Sequence, residues 1–226
     1  MDITPVAVTI KTLDGIDIAG TFYDVPDPKG GVVFLHMMPA VKDSWDELAL
    51  RFAGEGYLAL AIDLRGHGES EGGPNGYTKY TDEEHQKSIL DVDAAVKYLL
   101  AKGVAVDRVV LMGASIGANL ALKYIADHPD FKTAILLSAG SNYRGIMTLP
   151  AAEALKPAAR MFFVTSRDDN SNSDETQKIF SSIPKDVEKR LHIYEHAGHG
   201  TNMLGKEPKL TGLIMEFVKA TSGEKE

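Results

Sequence analysis

Cysteine is missing from all 226 residues, which excludes disulfides, thiolate catalysis and Cys-ligated zinc. Basic charge is in deficit: 24 Lys and Arg stand against 32 Asp and Glu, for a formal net charge of -8. With no basic run to offset this, nucleic acid and anionic membrane are not expected as partners. No apolar run approaches the roughly 20 residues that a membrane helix requires. The N-terminal "MDITPVAVTI" lacks the basic and apolar regions of a secretion signal, so a cytoplasmic location is the expectation. Internal repeats and low-complexity tracts are also lacking, and only "SGEKE" at the C-terminus reads as a frayed tail.

What remains is a chain with 44% hydrophobic and 25% charged residues, ordinary for a single globular domain spanning 1–226. Eight short β-rich runs can be counted, from "PVAVTIKT" to "KRLHIYE". From the third onward, amphipathic segments separate them, as in "DSWDELALRFAG" and "SIGANLALKYIADHP". Between Glu83 and Gly103, Ile89, Val92, Val96 and Leu99 recur at helical spacing and predict one helix. The run "VVFL" is apolar without alternation, as in a strand covered on both faces. This alternation predicts an α/β fold with a largely parallel, eight-stranded sheet and helices on both faces. The first two runs, joined only by "LDGID", are expected to form an antiparallel hairpin at one edge.

Two segments read G-x-S-x-G: Gly68–Gly72 around Ser70, and Gly113–Gly117 around Ser115. A nucleophilic serine on this pattern needs a strand leading in and a helix leading out. Ser115 has both, "RVVLMG" before it and "ANLALKYIADHP" after it. Ser70 follows its strand by seven residues, precedes the turn material "GGPNGYT" and sits between Glu69 and Glu71. It reads as an exposed loop serine.

A serine nucleophile requires a base and a group that orients the base, each in a loop after a later strand. Of seven histidines, only His196 and His199 follow the last strand run; His199, between Gly198 and Gly200, is favoured. Asp168 and Asp169 both fall just past "RMFFVTS", and Asp169, further into the loop, is preferred while Asp168 stays open. Asp174 suits a helix start. The oxyanion donors are expected to be the backbone N–H groups of Ile116 and Met38, with Met37 as the alternative to Met38. Met37, Tyr143, Met147 and Met203 are candidate substrate-lining residues, though methionines also fill gaps in a core. His36 and His67 read as loop braces, and Asp91 with Asp93 as a solvated helix face. No residue grouping suggests a metal or a cofactor. "GASIGA" with Tyr98 and Lys102 imitates a nicotinamide-dependent reductase, but in reversed order and without the third glycine.

With these residues placed, the chain resembles the α/β-hydrolase superfamily over nearly its whole length. "DLRGHGES" looks like the segment after the fourth strand of many members. "LHMMPA" stands where they often carry His-Gly-x, with Met37 replacing the glycine. "SRDD" takes the place of G-x-x-D, which supports Asp169, and "AGHG" matches the catalytic histidine loop. The strongest likeness is to small serine esterases related to dienelactone hydrolases. The resemblance implies hydrolysis of small carboxylic esters through Ser115, Asp169 and His199 without a cofactor. The link "GSNYRGIMTLPAAEALKPA" has room for a loop and one short helix, so a minimal cap and an open site are expected.

Overall fold

The structure, a computed structural model, describes residues 3–220; the expected C-terminal tail lies outside them. Three of the runs read as strands, β3 (Gly30–Leu35), β4 (Tyr57–Ile62) and β5 (Val109–Ala114), are buried at each position. They occupy the middle of an eight-stranded sheet. Its other members are β1 (Pro5–Lys11), β2 (Asp17–Tyr23), β6 (Thr133–Leu137), β9 (Arg160–Ser166) and β10 (Glu188–Tyr194). The order is β1-β2-β4-β3-β5-β6-β9-β10. β1 and β2 pair antiparallel, as do β2 and β4, and the remaining pairs are parallel. The hairpin therefore forms one edge, as its short link implied.

The helices are α1 (Asp46–Gly54), α2 (Asp82–Gln86), α3 (Ile89–Ala101), α4 (Ile116–Asp127), α5 (Leu149–Ala154), α6 (Asn172–Ser182), α7 (Asn202–Lys206) and α8 (Pro208–Lys219). They cover both faces. On β3, Gly31 meets Leu99 of α3, while the Phe34 ring meets Phe52 of α1 edge-on. Positions three apart on a strand point to opposite sides. The chain thus has the α/β-hydrolase fold.

Three expectations need correction. The helix read across Glu83–Gly103 is two helices, α2 and α3. Through the junction and the first turn of α3, Lys87, Ser88, Leu90 and Asp91 each donate three residues back, the step of 3-10 geometry. Ser70 is buried: its hydroxyl donates to Asp63 O at 2.6 Å and accepts from Ala19 N at 2.8 Å, tying the loop after β4 to β2. Asp91 is fully buried. Its carboxylate accepts from Arg65 N, Nε and NH2 at 2.7–2.9 Å, and Asp14 takes the other side of the same guanidinium. That pairing makes the burial of a charge at position 91 tolerable. Asp93 stays near the surface, paired with Lys97.

Residues 138–159 link β6 to β9. They hold a short hairpin of β7 (Asn142–Tyr143) and β8 (Ile146–Met147) in addition to α5. Two asparagines fasten this segment. Asn119 on α4 donates to Ile146 O and accepts from Gly140 N, and Asn172 on α6 donates to Ser138 O and Ala139 O.

Candidate active site

Ser115 lies between the last residue of β5 and the first of α4 and takes φ 53°, ψ -118°. A non-glycine residue there is strained, and the surrounding contacts over-determine it. Ser115 N donates to Leu137 O at 2.8 Å, and Ser115 O accepts from Ala118 N and Asn119 N. Its flanking glycines are needed for close approach. A Cβ on Gly113 would lie 2.1 Å from Gly117 O, and one on Gly117 2.3 Å from Leu35 O. The N-terminus of α4 is thereby pressed onto the end of β3, beside the loop that carries Met37 and Met38. Ile116 is the first residue of α4, so its N–H has no carbonyl four residues back to receive it. Ser70, by contrast, has its hydroxyl committed on both sides.

His36 braces the Met37–Met38 loop. Its Nε2 accepts from Leu64 N at 3.0 Å, which leaves the proton on Nδ1 to donate to Met37 O at 2.9 Å. Full burial holds this imidazole down to about 4, so it stays neutral. His67 donates from Nδ1 to Arg65 O and stacks on Tyr77. Burial, with His36 adding to it, holds His67 down to about 4 as well.

The two aspartates after β9 are divided between two partners. Asp169, buried, places Oδ2 2.7 Å from His199 Nδ1, which donates to it. Asp168 Oδ1 accepts from the Ser166 hydroxyl and from Gly198 N. The Ser166 hydroxyl, followed by the Gly198 amide, keeps the Asp168 carboxyl below the usual range. Ser166 in turn accepts from Ala197 N at 2.8 Å. Asp168 and Ser166 therefore fix the course of the loop after β10.

That loop returns to the serine. Gly200 N donates to Ser138 Oγ at 2.9 Å. A Cβ on Gly200 would stand 2.5 Å from Met37 Sδ and 3.4 Å from the Ala114 Cβ. The loop that carries His199 is thus packed against Met37, Ala114 and Ser138, at the ends of β3, β5 and β6. Tyr143 reaches in from the hairpin after β6. Its hydroxyl accepts from Asn172 Nδ2 at 2.9 Å, and its ring stands edge-on to His199 at 6.5 Å. Such a cluster at the carboxyl ends of parallel strands is where open α/β sheets place their ligands.

Two expected lining residues are elsewhere. Met203, on the first turn of α7, is fully buried in the core. Met147 is 53% exposed and borders a groove of about 320 Å³ formed with Leu120, Lys123, Pro150 and Ala154. That groove runs along the flank of α4, away from Ser115. Conversely, Ser138, Ser166 and Asn172 were not singled out from the sequence, although all three organise the site. The available signal was position: Ser138 and Ser166 lie at or just beyond the end of a strand, and Asn172 opens α6. Among the described residues no group of three or more His, Asp or Glu side chains is arranged to hold a metal ion. No described helix is long and apolar enough to cross a membrane.

Residues 26–162 match the Hydrolase_4 family, described as serine aminopeptidase S33. The chain belongs to this family. A bifunctional esterase/perhydrolase of Acinetobacter calcoaceticus is 35% identical to this Hydrolase_4 member over 134 residues, 58% of this chain and 44% of that protein. The match thus spans less than half of that relative's length. Among solved structures, an esterase of Pyrococcus furiosus superposes with a TM-score of 0.81 at 22% identity, covering 98% of this chain and 92% of that one. The dienelactone hydrolase of Anabaena variabilis gives 0.73 at 16% identity, covering 98% and 96%. At these identities the two structures speak to the fold. It is the α/β-hydrolase fold anticipated from the motifs.

Proposed function

We propose that this Hydrolase_4 member is a serine carboxylesterase acting on small esters of short to medium acyl chains. Ser115 attacks the ester carbonyl while His199 takes its proton, and Asp169 holds the imidazole in the productive tautomer. The N–H groups of Met38 and Ile116 receive the oxyanion. The alcohol leaves with the proton from His199, and water then cleaves the acyl-enzyme. The observation that carries this reading is the 2.7 Å Asp169–His199 contact on a loop packed against the turn of Ser115. The relative from Acinetobacter, by its name, lends it further support.

The test is labelling with a fluorophosphonate mapped by peptide mass, followed by a panel of nitrophenyl esters of rising acyl length beside thioester and peptide analogues. Label on Ser115, lost in Ser115→Ala together with hydrolysis, is the expected result. An intact wild-type protein that takes no label at Ser115 refutes the reading. A second reading follows from the esterase/perhydrolase relative: hydrogen peroxide, in place of water, takes the acyl group to give a peracid and free Ser115. Adding peroxide to the ester assay and measuring peracid decides whether this branch operates. The serine aminopeptidase description of the family keeps the peptide analogues in the panel.

A further inference from the structure

Ser138 directly follows β6 and is fully buried. It takes φ 53°, the left-handed value that Ser115 also takes. A glycine would adopt this conformation with less strain. What the serine adds is one hydroxyl, and Gly200 N donates to it at 2.9 Å. Gly200 is itself buried, so that oxygen answers an N–H that water does not reach. Tethers to the other two triad positions meet at the same place. Leu137 O, one residue earlier, accepts from Ser115 N at 2.8 Å. Ser138 O accepts from Asn172 Nδ2 at 3.1 Å, and Asn172 N donates to Asp169 O at 2.9 Å. Nucleophile and acid are therefore tied through main-chain carbonyls, which a substitution at 138 leaves in place. The loop of the base is tied through the side chain.

We propose that Ser138 is a positioning residue that sets the span between the His199 imidazole and Ser115. The inference rests on the serine-esterase reading. The Ser138 hydroxyl holds the residue after His199 at a fixed offset from the strand end beside the nucleophile. The strain at residue 138 belongs to that duty, as an outlier at a functional site often does. Without the hydroxyl, the imidazole keeps its 2.7 Å contact with Asp169, but the loop behind it is released and the ring swings about that contact. His199 takes the Ser115 proton in acylation and returns it in deacylation. A changed span therefore slows both half-reactions alike. A residue that touched substrate would move KM instead.

Ser138→Ala removes the hydroxyl and keeps the strained backbone, whereas Ser138→Gly removes the hydroxyl and the strain together. Both are compared with wild type for melting temperature, rate of fluorophosphonate labelling at Ser115 and hydrolysis of nitrophenyl acetate. The expected result is a similar fall in kcat, kcat/KM and labelling rate for both variants, about tenfold to a hundredfold, with KM unchanged. S138G melts above S138A because glycine relieves the strain, so the lost activity does not follow stability. The downfield proton resonance of the Asp169–His199 hydrogen bond, absent from Asp169→Asn, persists in S138A. Either variant within about threefold of wild-type kcat/KM overturns the proposal. So does S138G that is active where S138A is not, since the backbone and not the hydroxyl then matters. Activity lost only together with folding, or with that resonance, makes Ser138 a mere brace and also overturns it. Wild type that takes no label at Ser115 instead overturns the esterase reading beneath, whereas the other outcomes, on a wild type that labels, bear on Ser138 alone.

Discussion

Replacing a helical glycine by alanine normally stabilises a helix by up to ~1 kcal/mol. Gly117 and Gly212 both lie in helices, α4 and α8, and the same substitution is expected to have opposite signs at the two sites. A Cβ at Gly212 meets nothing within 4 Å, so the propensity gain is kept in full. In a chain of this size ~1 kcal/mol raises Tm by about 2–4 °C. At Gly117 the new Cβ would lie 2.3 Å from Leu35 O, 2.7 Å from Leu35 C and 2.8 Å from His36 O. These are main-chain atoms of β3 and its following loop, which cannot swing aside as a side chain would. Overpacking of this kind costs about 1–3 kcal/mol, and the upper end applies when several contacts fall under 3 Å. Subtracting the propensity gain leaves a net loss of about 2 kcal/mol and a Tm lower by about 4–8 °C. The displacement also separates the Ile116 N–H from Met38, and a misplacement near 1 Å costs on the order of a hundredfold in rate. Calorimetry and nitrophenyl ester hydrolysis on Gly117→Ala and Gly212→Ala read both effects. A Gly117→Ala protein that melts at or above wild type, with kcat/KM unchanged, refutes the account of how Ser115 is held.

Asp169→Asn is expected to lower kcat by about 10³–10⁴-fold by disturbing the imidazole tautomer, while Asp168→Asn costs far less and acts through loop order; parallel kinetics with thermal melts separate the two. Arg65→Met leaves the Asp91 carboxyl buried without its partner, at a cost of about 3–5 kcal/mol. That is a Tm lower by about 10 °C, and the double variant with Asp91→Leu recovers much of it. His36 and His67 are held down to about 4, against roughly 6.5 when unfolded. Above that value neither state binds the proton. As pH falls from about 6.5 towards 4, the unfolded chain takes up protons that the fold refuses. Asp91, raised to about 6 by burial, takes its proton earlier in the fold and offsets part of this, which leaves a net loss of a few kcal/mol. Asp14, lowered to about 2 chiefly by its bond to Arg65, extends the loss further into acid, between about 4 and 2. Urea titrations at pH 7.5 and 5 giving equal stability would contradict this assignment.

The strands and the edge hairpin were legible because their signals are local: apolar runs and a five-residue link. The choice of Ser115 over Ser70 rested on the same kind of signal, a strand leading in and a helix leading out. Burial of polar groups was not legible. Ser70 and Asp91 read as surface residues because their partners, Ala19 and Arg65, are distant in sequence. The break between α2 and α3 was hidden for another reason, since the apolar spacing runs on through a turn that only changes its hydrogen-bond step. Met203 failed as a lining residue because a methionine near a glycine-rich loop looks the same whether it faces inward or outward. Tyr143 could be named as a candidate, but its anchor, Asn172, is marked by no motif.

The neighbouring carboxylates at 168 and 169 leave one tight turn in two directions, one towards the Gly198 amide and the Ser166 hydroxyl and one towards an imidazole. Because the duties sit on separate side chains, the pitch of the histidine loop can be adjusted at position 168 while the charge beside the ring is left alone. Position 168 is therefore a place where drift or engineering can retune the angle at which the base meets its serine, with the chemistry itself untouched.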